Sequence, residues 1–224
     1  MAKRKLERFA ENATFPHMFQ LMWDDLQAGF GLRGRWRNDY FRNENPLILE
    51  LGCGKGEYTV GLATHYPDKN YIGIDKKGAR MWRGAKTTAE KQLPNVAFVR
   101  MQIEGIADVF APGEVDEIWI TFPEPHPNSP RTKKRFTSPQ FIERYRQILK
   151  PEGIIHLKTD SDLVFEYTHD IIKAGKHRLL YSTSDLYSNS SDEMVRDVVA
   201  VQTFYEQMWL SQGIPIKYLC FTIN

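Results

Sequence analysis

The residues best suited to chemistry in this chain are acids set in stiff or glycine-rich surroundings. Glu124 stands between Pro123 and Pro125 in the run Phe122-Pro123-Glu124-Pro125-His126-Pro127-Asn128-Ser129-Pro130-Arg131-Thr132-Lys133-Lys134-Arg135-Phe136. Proline fixes φ and biases its predecessor to extended backbone, so the prolines of this loop restrict where its one carboxylate points. Arg131, Lys133, Lys134 and Arg135 form a dense cationic cluster beside it, suited to phosphate oxygens. Three more acids end or interrupt apolar runs: Glu50 ahead of Gly52, Gly54 and Gly56, Asp75 after Tyr71-Ile72-Gly73-Ile74, and Asp160 after His156-Leu157-Lys158-Thr159. Metal chemistry is not indicated. The histidines (His17, His65, His126, His156, His169, His177) show no ligand-like pairing, and Cys53 and Cys220 make neither a disulfide framework nor a zinc spacing, so both read as reduced thiols.

The elements that must position these acids follow from periodicity and breakers. Leu47 to Leu51 reads as a buried strand, the glycines at i, i+2 and i+4 as a tight loop that admits a ligand close to backbone, and Tyr58 to His65 as the following helix. A dinucleotide fingerprint would need a third glycine at position 57, which is Glu57, so a hydride-transfer site fits poorly. Tyr71 to Asp75 reads as the next strand, and Asp75 lies 75 − 56 = 19 residues past the last glycine, where such folds place an acid on ribose hydroxyls. With Glu50 ahead of the glycines, the segment resembles the S-adenosylmethionine site of class I methyltransferases.

Further elements alternate in type. Gly78 to Gln92 reads as a helix, Asn95 to Arg100 as a strand with Gln102 just past its end near an adenine edge, Ile103 to Phe110 as a short helix and Glu117 to Phe122 as a strand. Pro139 to Leu149 reads as a helix, Ile154 to Lys158 as a strand ending at Asp160, and Leu163 to Lys173 as a helix. A strand at Leu179 to Thr183, a polar loop at Ser188 to Asp192, a helix at Val201 to Leu210 and a strand at Lys217 to Ile223 complete the chain. Alternating strands and helices predict an α/β fold with a mostly parallel sheet covered on both faces.

The chain has 224 residues, enough for one α/β domain, here 46–224, preceded by a basic segment 1–45 that is expected to be partly flexible. That segment carries Lys3, Arg4, Lys5 and Arg8, then Arg33, Arg35, Arg37 and Arg42; a solvated arm and a phosphate-contacting one are both open readings. No apolar run approaches the roughly 20 residues that span a bilayer, and no apolar stretch follows the basic start, which predicts cytoplasmic residence. The net charge of +2 is too small to identify a nucleic-acid binder by itself.

Glu50-Leu51-Gly52-Cys53-Gly54-Lys55-Gly56, Phe122-Pro123-Glu124-Pro125 with its basic tail, His156-Leu157-Lys158-Thr159-Asp160 and Thr203-Phe204-Tyr205-Glu206 together resemble, in this order, the bacterial tRNA (guanine-N7)-methyltransferases. The resemblance covers roughly Leu47 to the C-terminus. It implies a Rossmann-like class I methyltransferase fold with a seven-stranded sheet closed by an antiparallel edge, S-adenosylmethionine as methyl donor, and a guanine in the variable region of tRNA as acceptor. Its implied site residues are Glu124 and Asp160 for catalysis, with Glu50, Gly52, Gly54, Gly56, Asp75, Gln102 and Glu124 toward the cofactor. Toward the substrate it implies Asn128, Arg131, Lys133, Lys134, Arg135, Asp160, Thr203, Phe204, Tyr205 and Glu206. The chain departs from the family pattern Pro-Asp-Pro-Trp: Glu124 replaces the aspartate, His126 the tryptophan, and Asn128 stands where a lysine is typical. Guanine N7 has an available lone pair, so no strong base is needed; the acids are expected to orient the base by accepting hydrogen bonds from N1–H and the 2-amino group. The alternative reading is a class I methyltransferase with another RNA, protein or small-molecule substrate. Oligomeric state is not set by the sequence.

Overall fold

The computed structural model describes residues 2–224, except for the side chains of residues 2–4 and 129; the basic groups of Lys3 and Arg4 thus lie outside what is described. In chain order the elements are α1 (Ala2–Asn12), β1 (Met18–Gln20), α2 (Trp23–Gln27), a π-helical segment (Trp36–Phe41), β2 (Leu47–Leu51), α3 (Glu57–His65), β3 (Asn70–Asp75) and α4 (Gly78–Lys91). They continue with β4 (Val96–Arg100), α5 (Ile106–Val109), β5 (Val115–Thr121), α6 (Pro139–Arg146), β6 (Leu149–Thr159) and α7 (Asp162–Ala174). The last are β7 (Arg178–Thr183), α8 (Arg196–Val199), α9 (Phe204–Ser211) and β8 (Lys217–Thr222). The sheet order is β1-β4-β3-β2-β5-β6-β8-β7, parallel from β1 to β6 and antiparallel where β8 lies between β6 and β7.

Both faces of the sheet are covered, and the period-two alternation of the strands divides the core accordingly. Leu47, Leu49, Leu51, Ile72 and Ile74 pack with Ile106, Phe141, Ile142, Tyr145, Val164 and Phe165 of α5, α6 and α7. Ile48, Tyr71, Phe98 and Trp119 face the other way, against Tyr58, Val60 and Leu62 of α3 and Met81 and Ala85 of α4. Every residue of β2 is buried, as an interior parallel strand requires, and at about 1.5–3 kcal/mol per large apolar side chain this layer supplies much of the drive to fold.

The sheet has eight strands, not seven. The additional strand, β1, comes from the basic segment and pairs with β4 (Met18↔Phe98 to Gln20↔Arg100). The segment is anchored further by Trp36, fully buried, stacked on Phe110 at 5.7 Å and edge-on to Phe19 and Tyr40. Its ring N–H donates to Val109 O (3.2 Å), and the Glu114 carboxylate accepts from the backbone N–H groups of Gly34, Trp36 and Ala111. Arg37, one of the basic residues of this segment, is tied to Asp116 and to the carbonyls of Glu114 and Asn45. Helix α1 lies on α4, where Glu11 accepts from Trp82 and Lys86 and Asn12 donates to Gly78 O.

Candidate active site at the carboxyl edge of the sheet

The glycine loop that follows β2 is fastened to the next strand. Gly52 and Cys53 N–H both donate to Ile74 O (2.8 and 3.1 Å), and Gly56 N–H closes the turn on Cys53 O (2.7 Å). All three glycines hold a left-handed backbone (φ 74°, 56° and 70°), which a side chain would strain. The reasons for each differ. A Cβ at Gly52 would lie 2.9 Å from the Phe136 ring and one at Gly56 2.6 Å from Phe98, whereas at Gly54 nothing approaches within 3.9 Å, so Gly54 presents bare backbone to open space. Asp75, half-buried at the end of β3, accepts the Gly54 N–H (3.0 Å) on one oxygen and the Lys77 N–H (2.8 Å) on the other, leaving acceptor capacity on each. Gln102 is exposed just past β4, beside Met101, whose N–H donates to Asp75 O (3.1 Å). The open face at Gly54, the acceptor oxygens of Asp75 and the exposed Gln102 are polar groups of the kinds an adenosine moiety would need.

Glu50 sits beneath this loop, nearly inaccessible. Its carboxylate accepts from the Thr59 N–H (2.8 Å) and hydroxyl on one oxygen and from the Thr121 hydroxyl (2.7 Å) on the other. Burial pushes its carboxyl up to about 7, opposed by those hydrogen bonds and reinforced by the nearby charge of Asp75. Thr59 and Thr121 hold Glu50 in place and were not legible in the sequence; each is an ordinary helix or strand residue, and only the fold brings them to Glu50. Both cysteines are free and buried, and burial pushes the Cys53 thiol well above its ordinary range.

Strands β5 and β6 run side by side (Thr121↔Lys158), and the Phe122 N–H extends the ladder to Lys158 O (2.8 Å), so the two chains leave the sheet together toward Glu124 and Asp160. The proline loop then turns through two left-handed residues, Phe122 (φ 48°) and His126 (φ 44°). The Glu124 side chain is 76% exposed, 3.9 Å from His126 Nε2, while the His126 ring is largely covered. Arg135, expected among the phosphate contacts, is instead buried. Its Nε donates to Pro125 O (2.9 Å), its Nη2 to His126 O (3.1 Å), and the guanidinium lies 4.3 Å from the Tyr167 ring centre, so it clamps the loop from within. Arg131, Lys133 and Lys134 are exposed on the 3-10 turn Ser129–Lys134, and Asn128, also exposed, precedes it. Asp160 is half-buried, and its backbone carbonyl accepts from Lys217 Nζ (3.1 Å).

The Thr203-Phe204-Tyr205-Glu206 segment is the start of α9. Thr203 caps the helix and Glu206 completes a capping box; both are buried, Glu206 entirely. Phe204 and Tyr205 are exposed, and the Phe204 N–H donates to Glu57 (3.0 Å) at the start of α3, with Lys55 Nζ 4.9 Å from the Phe204 ring. Of the four, only the two aromatic side chains face outward beside the glycine loop.

Residues 44–219 match the family described as "putative methyltransferase". The chain is 50% identical over 224 residues to a tRNA (guanine-N(7)-)-methyltransferase of Christiangramia forsetii, covering all of this chain and 99% of that one. It is 47% identical to the enzyme of that name from Bacteroides thetaiotaomicron, covering all of this chain and 87% of that one. The chain belongs to the tRNA (guanine-N7)-methyltransferase family. Its fold is also that of more distant methyltransferases of known structure. A 16S rRNA methyltransferase, KamB, superimposes with a TM-score of 0.63 at 14% identity, covering 94% of this chain and 97% of that one. An antibiotic-related methyltransferase superimposes with a TM-score of 0.59 at 17% identity, covering 90% and 94%.

In this methyltransferase the sheet edge gathers the Glu50 loop, Asp75, Gln102, Glu124, Asp160 and the free cations of the proline loop. Arg135, Thr203 and Glu206 are turned inward and support the site. Among the described residues no group of His, Cys, Asp and Glu is arranged to hold a metal ion.

Proposed function

We propose that this chain transfers the methyl group of S-adenosylmethionine to N7 of a guanine in the variable region of tRNA. The observation that carries this reading is the convergence of three adjacent strand ends. β2, β5 and β6 deliver the glycine loop, a carboxylate in a stiffened loop with free cations beside it, and a second carboxylate to one edge of the sheet. S-adenosylmethionine supplies an electrophilic methyl on sulfur. On this reading Asp75 holds the ribose hydroxyls, Gly54 admits the cofactor to backbone, and Gln102 meets the adenine edge.

Guanine N7 attacks with its own lone pair, so the protein's work is alignment and not deprotonation. Glu124 and Asp160 accept hydrogen bonds from the N1–H and 2-amino group, which selects guanine and favours the positive charge that develops on the methylated base. Arg131, Lys133 and Lys134 neutralise backbone phosphates, which gives affinity without reading sequence. Phe204 and Tyr205 offer exposed rings for stacking. No described helix is long and apolar enough to cross a membrane.

The test is incubation with methyl-labelled S-adenosylmethionine and unmodified bulk tRNA, followed by digestion and nucleoside separation. Label should appear in 7-methylguanosine. Label confined to another nucleoside, or absent from RNA, would overturn the reading.

A further inference from the structure

Among the described residues, one ion pair is fully shielded from water. Lys158 Nζ lies 2.6 Å from Glu206 Oε1, and both side chains have no exposure. The ammonium also donates to Val198 O (2.9 Å) and Val201 O (3.2 Å), so each of its three protons has an acceptor. Glu206 is equally committed: Oε1 also accepts the Tyr187 hydroxyl (2.6 Å) and Oε2 the Thr203 N–H (3.2 Å). Burial lowers the Lys158 pKa, and the charge of Glu206 and its hydrogen bond oppose that.

The position of the pair gives it a purpose. Lys158 is in β6, two residues before Asp160, and its ammonium lies 5.1 Å from the ring centre of Tyr58 in α3. The groups it holds, the carbonyls at 198 and 201 and the carboxylate at 206, span the approach to α9. Val201 packs so closely on Gly61 of α3 that a Cβ there would meet it at 2.5 Å. One ammonium thus ties the strand that delivers Asp160 to the turn that delivers Phe204 and Tyr205, and the Phe204 N–H to Glu57 bond fixes that turn beside the glycine loop.

We propose that Lys158 and Glu206 are positioning residues whose buried ion pair sets the Phe204–Tyr205 wall of the guanine site, with Glu206 acting through the start of α9 and not as a ligand of the base. This rests on the methyl-transfer reading above. A carboxylate with every contact spent internally and no solvent exposure reaches no guanine unless the pair breaks. Removing one partner alone leaves a buried charge unmatched, which is strongly destabilising, whereas neutralising both removes that penalty.

The experiment compares the parent, Glu206→Gln and the double variant Lys158→Met/Glu206→Gln. It measures hydrogen exchange of residues 197–207, equilibrium binding of S-adenosylmethionine and of tRNA, and the single-turnover methylation rate with both saturating. Positioning predicts faster exchange in that segment in both variants and cofactor and tRNA affinities near the parent's. Rates should fall by about 10²-fold, the scale of a small misplacement of reacting groups, and to the same extent in both, because both variants break one unit. A rate loss in Glu206→Gln with exchange protection unchanged would mean that Glu206 touches the base and would overturn the proposal. Parent rates in both variants would overturn it too. If Glu206→Gln, which leaves the buried Lys158 ammonium without its counter-charge, does not fold, the double variant alone still decides, because its exchange and its rate are read together against the parent. A parent that puts no label into tRNA guanine would refute the functional reading instead, and the exchange data would still report on the pair.

Discussion

Arg135 is the residue whose role differs most between sequence and structure, and Arg135→Lys separates the two readings because it keeps the charge. A phosphate contact tolerates lysine. A clamp does not, because the guanidinium donates in a fork to two successive carbonyls, Pro125 and His126, and lies on the Tyr167 ring. Hydrogen bonds involving a charged partner are worth about 1.5–3 kcal/mol each, and lysine retains one of the two at best. The loop needs this hold: Phe122 and His126 sit in the left-handed region, and sparsely populated backbone of that kind costs about 1–3 kcal/mol per residue. Losing roughly 1.5–3 kcal/mol from the clamp reduces the ordered loop population by about 10- to 100-fold if its margin is no larger than that. Single-turnover methylation by Arg135→Lys should therefore slow by up to this factor. The salt slope of tRNA binding, measured by anisotropy across a potassium chloride series, should stay at the parent's value, because no counterion-releasing contact is lost. A variant that methylates at the parent's rate would refute the clamp, as would one whose salt slope falls by about one unit while the rate per bound complex is unchanged.

Four further outcomes test the site. Asp75→Ala should weaken S-adenosylmethionine binding, read by calorimetry, while tRNA affinity is retained; an unchanged cofactor titration would remove Asp75 from the ribose. Neutralising Arg131, Lys133 and Lys134 together should weaken tRNA binding and flatten its salt dependence with cofactor affinity intact, and a parent-like slope would make the cluster a solvated face. Glu50 has a folded pKa of about 7, above its ordinary 4.5, so its contribution to stability is complete below about 4.5 and is lost as pH rises through about 7. Because it is fully buried, the loss amounts to about 3 kcal/mol, and Glu50→Gln should flatten the melting temperature between pH 5 and 8, roughly. Glu124→Gln should lower the single-turnover rate and spare tRNA binding, and Glu124→Asp should also slow it if the longer side chain suits this loop; full activity in Glu124→Gln would leave Asp160 as the remaining acid.

What was legible in the sequence was whatever is written locally. Continuous apolar runs, alternating glycines and an acid at a fixed distance identify β2, the loop and β3, and their bounds in the structure differ from the reading by a residue or so. The same holds for the proline loop, because proline acts on its own φ and its neighbour's. β1 was not legible: three residues carry no period, and its Phe19 is anchored across the fold, against Phe30, Trp36 and Tyr40. Charge is the harder case, since Arg131 and Arg135 are the same letter in one basic run, and Glu124 and Glu206 the same letter in two motifs. In each pair one side chain meets solvent and the other satisfies backbone or a buried partner, and that difference depends on which carbonyls and rings the fold brings within about 3–5 Å. A family motif preserves residue types for either reason. Thr203-Phe204-Tyr205-Glu206 therefore divides between two exposed aromatic residues that can touch a base and two buried polar ones that hold them in place.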